Sequence, residues 1–276
     1  MKRGQRGKRS GSITSGYWNR REKRFVYLVM QKIGAELVDK IKKQCMINRH
    51  GGNMKYIPDD WTVKQNNLKI LLSKKTFDNG IKLLLEMHGL LHDKKVYNNK
   101  DRTIYTNLWE NLKGETCKII SNKETSILWD IWHITRIEDI AGNILINNGE
   151  TVFNEDIKNK LNIKIKDTGN AMSYEEIQDF NNSINATELK NYRIKAGKST
   201  KKIIENINFN DMKRKVEKEQ LEKIRQNGGI INDKNSIWLL DFWGKKNVLG
   251  LIMMPITRHQ TIHLNDCFNI KEKYNK

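Results

Sequence analysis

The segment "ETSILWDIWHITRIEDIAGNILINN" (residues 124–148) indicates the fold class more strongly than any other part of the chain. Its apolar side chains cover a wide arc of the helix that it predicts, so most sides of that helix should be packed. At its start, "SNKE" (residues 121–124) has the spacing of a capping box, in which Ser121 and Glu124 bond to each other's backbone amides. We therefore predict a deeply buried helix that begins at this box.

The rest of the chain also predicts helices. It contains only two prolines, Pro58 and Pro255, and strongly alternating strand patterns are rare, so the sequence predicts an all-α fold. The predicted elements are a helix over 17–45, a connector over 47–61, a helix over about 67–93, short helices or a loop over 96–116, a helix from the capping box "SYEE" (173–176) to about 207, and a charged helix within 210–227. Since proline lacks an amide donor, the final helix should kink at Pro255 or begin just before it.

The formal net charge of the chain is +19, which raises the question of a polyanionic partner. Residues 1–24 are basic enough to form a disordered arm that binds phosphates. Beyond them the lysines are scattered over amphipathic stretches, and Lys, Asn and Ile are abundant throughout, as in proteins from AT-rich genes. We interpret the charge as compositional drift plus a solvated tail, and nucleic-acid binding stays open as the less favoured interpretation.

Composition also bears on the cellular location. The chain has no apolar run of 18 residues or more, so it predicts no transmembrane helix. The first 24 residues lack the apolar region of a signal peptide. The cysteines are three in number and far apart, which favours reduced thiols over a disulfide framework. The sequence therefore predicts a soluble cytoplasmic protein.

Two HxxxH pairs, His88/His92 and His259/His263, are candidate metal ligands, because residues at i and i+4 share one face of a helix. The uncharged run "LGLIMMPI" (249–256) precedes the second pair, which should therefore face the core. His133 lies midway along the apolar segment 124–148. If the two helices pack side by side, three imidazoles converge, whereas His88 and His92, beside Gly89 and before "DKK", fit the surface better.

Three imidazoles with an open position suit Zn²⁺, Ni²⁺ or Fe²⁺, and an open position is typical of catalytic sites. Ligating imidazoles also need acceptors for their other ring nitrogen, and Asp130 and Asp266 are the candidates by position. Both could equally be ordinary surface carboxylates, and His133 alone could be a core histidine. Cys267, one turn beyond His263, is a fourth ligand or, more in keeping with its type, an inert buried thiol.

Two segments, "WHITRIEDIAGNIL" (132–145) and "DFWGKKNVLGLIMMPITRHQTIHLND" (241–266), resemble the DinB-like (DinB/YfiT) superfamily of metal-binding four-helix bundles. The family pattern has one histidine on the second bundle helix and an HxxxH pair on the fourth. His133, His259 and His263 match these positions, and the resemblance covers roughly residues 65–275.

The resemblance implies a bundle that binds a divalent ion, often nickel or zinc, and that frequently forms a homodimer. Characterised relatives include S-transferases and isomerases that use low-molecular-weight thiols such as bacillithiol or mycothiol. The chain departs from the pattern in a basic extension of some 60 residues and in an insertion of extra short helices before the last bundle helix, at about 208–245. The expected organisation is a basic tail (1–16), an N-terminal helix and connector (17–64) and a DinB-like metal-binding bundle (65–276).

Three functions compete on this evidence. The first is a metal-dependent enzyme that acts on a small molecule, either an S-transferase using a low-molecular-weight thiol or a related hydrolase. The second is a nucleic-acid-associated basic protein with a structural metal or none. The third is a helical bundle whose histidines are ordinary core or surface residues.

Overall fold

The computed structural model describes residues 56–72 and 76–276, which belong to one compact unit, residues 53–276. Its helices are α1 (Trp61–Leu72), α2 (Phe77–Leu90), α3 (Ile104–Trp109), α4 (Gly114–Lys118), α5 (Ile127–Asp139), α6 (Glu155–Leu161), α7 (Tyr174–Ser183), α8 (Ala186–Asn206), α9 (Lys218–Gln226), α10 (Lys234–Gly244), α11 (Val248–Leu251) and α12 (His259–Tyr274). Short 3₁₀ helices cover Lys94–Val96 and Phe209–Lys213, and π-helical segments cover Ile140–Ile146 and Ile252–Arg258.

The all-α prediction is confirmed for the described residues, which contain no strand and one isolated β-bridge, between Lys215 and Asn247. The predicted tail (1–16), the whole predicted helix over 17–45 and residues 47–55 of its connector lie outside the described residues.

Helix α5 is the centre of the core, as its wide apolar arc predicts. Every residue from Ile127 to Ile146 is buried, through α5 and the π-helical segment that continues it. Helices α8 and α12 pack against α5, and α2 packs against α1 and α8. Because polar residues of α5 are buried with the apolar ones, they require partners within the protein.

The predicted cap of α5 is wrong by five residues. Ser126, not Ser121, precedes the helix, and its side chain accepts a hydrogen bond from the backbone amide of Trp129 (3.0 Å). Glu124 has a left-handed backbone (φ 59°), which is incompatible with the first turn of a helix. Residues 121–125 therefore form a turn, in which the amide of Ser121 bonds to the carbonyl of Thr125 (2.8 Å).

Two long predicted helices are each divided in the structure. The segment 67–93 forms α1, which already begins at Trp61, and α2, which begins at Phe77. The segment 174–207 breaks at Ile184, whose backbone is extended, and Asn185 caps α8. The predicted capping box of Ser173 and Glu176 is confirmed at the start of α7.

Pro255 lies within the π-helical segment Ile252–Arg258, so the last helix is continuous but widened there. Proline cannot donate to the preceding turn, and an inserted side chain commonly accompanies such distortions. Here the Gln260 side-chain amide donates to the carbonyls of Pro255 and of Ile134 in α5, both at 3.1 Å. The widened turn thereby ties the start of α12 to α5.

Candidate metal centre

The structure brings His133, from α5, together with His259 and His263, which lie one turn apart at the start of α12. One ligand nitrogen from each lies within 4.8 Å of the others, and the Nε2 atoms of His133 and His259 are 3.2 Å apart. Two nitrogens bound to one ion at about 2.0–2.1 Å with a tetrahedral angle lie roughly 3.3 Å apart. The spacing therefore suits ligands that share an ion.

Hydrogen bonds hold the outer ring nitrogens of two of these histidines. His133 Nδ1 lies 2.7 Å from the carbonyl oxygen of Thr168, and His263 Nδ1 lies 2.7 Å from Asp130 Oδ1. A carbonyl can only accept, so Nδ1 of His133 carries the proton and Nε2 of the neutral ring presents a lone pair. Carbonyl and carboxylate acceptors are the usual outer partners of ligating histidines.

Asp130 and Asp266 have different surroundings. Asp130 is fully buried, and besides His263 its side chain accepts from Thr125 Oγ1 (3.3 Å) and Cys267 Sγ (3.8 Å). Burial raises the pKa of Asp130 to about 8, and a cation bound nearby would favour its carboxylate form. Asp266 instead pairs with Lys123, and burial raises its pKa as well.

Cys267 is fully buried, and burial raises the pKa of its thiol well above the usual value. The thiol donates to Asp130, so it supports the carboxylate that holds His263. This position favours the interpretation of Cys267 as an inert buried thiol over its interpretation as a fourth metal ligand.

An aromatic wall closes one side of the histidine cluster. The indole of Trp129 stacks on the His133 ring, with 4.7 Å between centroids and 7° between planes. Gly169 lies against the indole in a left-handed conformation (φ 79°), and a Cβ there would be 2.9 Å from Trp129 Nε1. Arg136 donates to the Lys166 carbonyl (2.7 Å) and so fixes the loop that carries Thr168 and Gly169.

His259 and His263 are more exposed than His133. His133 is 4% exposed, whereas the side chain of His263 is 17% exposed and His259 is partly buried. A metal held by the three Nε2 atoms would therefore have a side from which a small molecule can approach.

Sequence reasoning missed the Thr168 carbonyl, Trp129 and Gly169. Trp129 precedes His133 by one helical turn, so its spacing could have indicated that the two rings share a face. A backbone carbonyl more than thirty residues away leaves no signal in the sequence.

The prediction that His88 and His92 lie on the surface is wrong. Both are 0% exposed, and with the fully buried Glu138 of α5 they are placed closely enough to hold a metal ion. His88 Nε2 lies 2.9 Å from Glu138 Oε1, and His92 Nε2 lies 2.8 Å from Oε2. Burial lowers the pKa of His92 to about 4. The presence of the charged Glu138 in the most apolar helix could have indicated from the sequence that this helix has buried polar partners.

The buried Arg193 of α8 stands between the two clusters. Its guanidinium donates to the carbonyl of Leu91 (3.0 Å) and to Gln260 Oε1 (2.9 Å), and it lies 3.9 Å from Glu138. Since Gln260 follows His259, Arg193 links the surroundings of both histidine clusters.

The fold and the two clusters define an all-α protein with candidate metal centres on a central helix. No protein-family model and no curated protein matches the sequence. Among the helices of the described residues, none combines the length and apolar character that crossing a membrane requires.

Proposed function

We propose that the chain is a divalent-metal-dependent enzyme of DinB-like type, with His133, His259 and His263 as ligands, and that it transfers a low-molecular-weight thiol to a small electrophile. The observation that carries the proposal is the 3.2 Å spacing of the Nε2 atoms of His133 and His259, at a cluster where two outer nitrogens are already engaged. A Zn²⁺, Ni²⁺ or Fe²⁺ ion there supplies a Lewis acid, which lowers the pKa of a thiol or water molecule at its open side.

The residues of the chain orient and shield this site. The Thr168 carbonyl fixes His133 in the tautomer that presents the Nε2 lone pair, and Asp130 does the same for His263. Trp129 excludes water from the stacked face of His133, which strengthens electrostatic interactions within the site. The partly exposed side at His259 and His263 is where the substrates approach.

The proposed transfer needs two substrates, a thiol and an electrophile with a leaving group. The thiol loses its proton to solvent, and its sulfur forms a bond to the electrophilic carbon. The leaving group departs with the electron pair of the broken bond. Holding the sulfur beside the carbon converts a bimolecular encounter into a reaction within one complex.

Metal binding is tested first, by elemental analysis and calorimetric titration of a tag-free, full-length protein purified without chelators. We expect a bound transition metal, and we expect His133→Ala to remove the ion at this cluster. Asn269→Ala is the matched control, because Asn269 is exposed on the same helix as His259 and His263. No binding by the folded wild-type protein, either as purified or on titration, would exclude the proposal.

The reaction is tested separately, with metal-loaded protein and a panel of low-molecular-weight thiols and electrophiles. We expect thioether formation that depends on the added ion and is lost in His133→Ala. A metal-loaded protein that is inert with every pair excludes the transferase, and ester or amide hydrolysis is then the reaction to assay.

A further inference from the structure

We propose that His88, His92 and Glu138 form a second divalent-metal site, in which the ion joins α2 to α5 inside the core. The two histidines lie one turn apart, with ring centroids 4.0 Å apart, and both Nε2 atoms face the carboxylate of Glu138. All three residues are fully buried. This inference does not depend on the proposed enzymatic function, because it concerns different ligands.

The hydrogen bonds of His92 determine which of its ring nitrogens faces Glu138. His92 Nδ1 lies 2.9 Å from the backbone carbonyl of His88, which can only accept, so Nδ1 carries a proton. A neutral His92 then directs the lone pair of Nε2 at Glu138 Oε2, 2.8 Å away. Two facing lone pairs repel each other, so either a proton or a metal ion must lie between the two residues.

The ligand atoms at this cluster suit a metal ion in place of that proton. A metal ion uses the neutral ring and the ionised carboxylate directly as ligands. Two imidazoles and one carboxylate are a common ligand set for Fe²⁺, Zn²⁺ and related ions.

The surroundings of the ligands are those of a built site. His88 Nδ1 is hydrogen-bonded to the Tyr97 hydroxyl (2.8 Å), so both outer ring nitrogens have a partner. Gly197 of α8 makes room for His92, since a Cβ there would lie 2.5 Å from Cδ2 of the ring. Binding one ion requires the two rings to turn toward a common point, which the broad χ2 torsion of histidine allows.

A cleft of about 420 Å³ approaches this cluster from the surface, and Tyr97 and Gly89 are among its lining residues. Since Tyr97 also bonds to His88, its phenol separates the cleft from the ligands. An ion that enters from the cleft would have to pass Tyr97 to reach the ligands. Arg193 opposes a cation here, because its guanidinium is 3.9 Å from Glu138, so binding should depend strongly on the negative charge of Glu138.

The test uses the full-length, tag-free chain with the substitutions His133→Ala and His263→Ala, which remove the first cluster. After equilibration with Zn²⁺ and removal of free ions, we expect one ion per chain by elemental analysis. Adding Glu138→Gln, which keeps the shape and removes the charge, should eliminate that ion. Circular dichroism verifies that each variant is folded.

A milder variant covers the case in which Glu138→Gln does not fold. Tyr97→Phe removes only the hydroxyl that holds His88, and we expect it to weaken Zn²⁺ binding in the same background by about 10–100-fold. Unchanged affinity in Tyr97→Phe would contradict ligation by His88. If the protein with His133→Ala and His263→Ala is folded but retains no ion, the second metal site is wrong. Nitrogen NMR shifts of an imidazolium at His92 that persist in the presence of Zn²⁺ would also overturn it.

Discussion

Two histidines illustrate how the partner of one ring nitrogen determines what the other can do. His133 Nδ1 and His92 Nδ1 both donate to backbone carbonyls, at 2.7 Å and 2.9 Å. Each neutral ring therefore presents its Nε2 lone pair. Nε2 of His133 faces the imidazole of the partly exposed His259, whereas Nε2 of His92 faces a buried carboxylate. The same side chain thus supports an open site in one place and a closed site in the other.

At this scale the structure distinguishes Asp130 from Asp266. Asp130→Asn should lower the affinity of the first cluster for Zn²⁺ by about 10–100-fold, because the outer nitrogen of His263 loses its charged partner. The affinity is measured by titration calorimetry. Asp266→Asn is the control: its main partner is Lys123, so it should have a much smaller effect. An equal or larger loss of Zn²⁺ affinity in Asp266→Asn would contradict the proposal that Asp130 is the residue that orients His263.

Gly169 permits the close approach of its loop to Trp129. Gly169→Ala should destabilise the protein by about 1–2 kcal/mol through its positive φ alone, and further through the clash with the indole. Chemical denaturation measures the loss. Gly228→Ala is matched, because its φ is 69° but its nearest contact would be an ordinary 3.6 Å. If the two variants lose equal stability, the indole does not restrict this position.

At the scale of elements, the sequence predicts the wrong start for α5, because either of two serines could cap the helix. Both Ser121 and Ser126 have side chains able to cap a helix, and Ser121 has in addition the glutamate of a capping box. Ser126 prevails because its hydroxyl also donates to the buried Asn181 Oδ1 (2.7 Å). A contact with another helix thus selects between two locally acceptable caps.

This selection can be measured by alanine substitution. Ser126→Ala should lower the free energy of unfolding by about 0.5–2 kcal/mol, because both the amide of Trp129 and the side chain of Asn181 lose a partner. Ser121→Ala should change it by less than about 0.5 kcal/mol, since Ser121 lies in a turn. Denaturant unfolding of the two variants compares the sites, and a larger loss in Ser121→Ala would restore the sequence prediction.

The breaks within the long predicted helices are a second feature that the sequence does not predict. Helical periodicity continues across the break at Ile184, so the sequence alone does not reveal it. The break coincides with a tertiary contact, in which the amide of Asn185 donates to the carbonyl of Leu161 (2.9 Å). Gly80 permits the close approach of α2 to α1, because a Cβ there would lie 2.9 Å from the Leu72 side chain.

For the whole molecule, metal binding should appear as added stability. An ion that binds only the folded chain stabilises it by about 2.7 kcal/mol when free ion is at a hundredfold excess over the dissociation constant. For a chain of this length that corresponds to a rise in Tm of roughly 5–10 °C. Scanning calorimetry with and without Zn²⁺ measures the shift, and its absence in the wild-type protein would contradict both metal sites.

The same calorimetric measurement distinguishes the two proposed metal sites. In His133→Ala the rise in Tm should shrink but persist, because the ligands His88, His92 and Glu138 remain. In the variant that combines His133→Ala, His263→Ala and Glu138→Gln it should vanish. A rise that disappears fully with His133→Ala alone would leave the first cluster as the only metal site.

The sequence by itself determined that the described residues are helical, that the segment around His133 is deeply buried, and that His259 and His263 share a face. These properties follow from local spacing along a helix, which a sequence records directly. The tertiary structure decided which groups meet: His133 with the Thr168 carbonyl, and Glu138 with a histidine pair that the sequence assigned to the surface. The physical reason is that Glu138 lies 46 residues from His92, so their contact depends on how α2 and α5 pack against their neighbours.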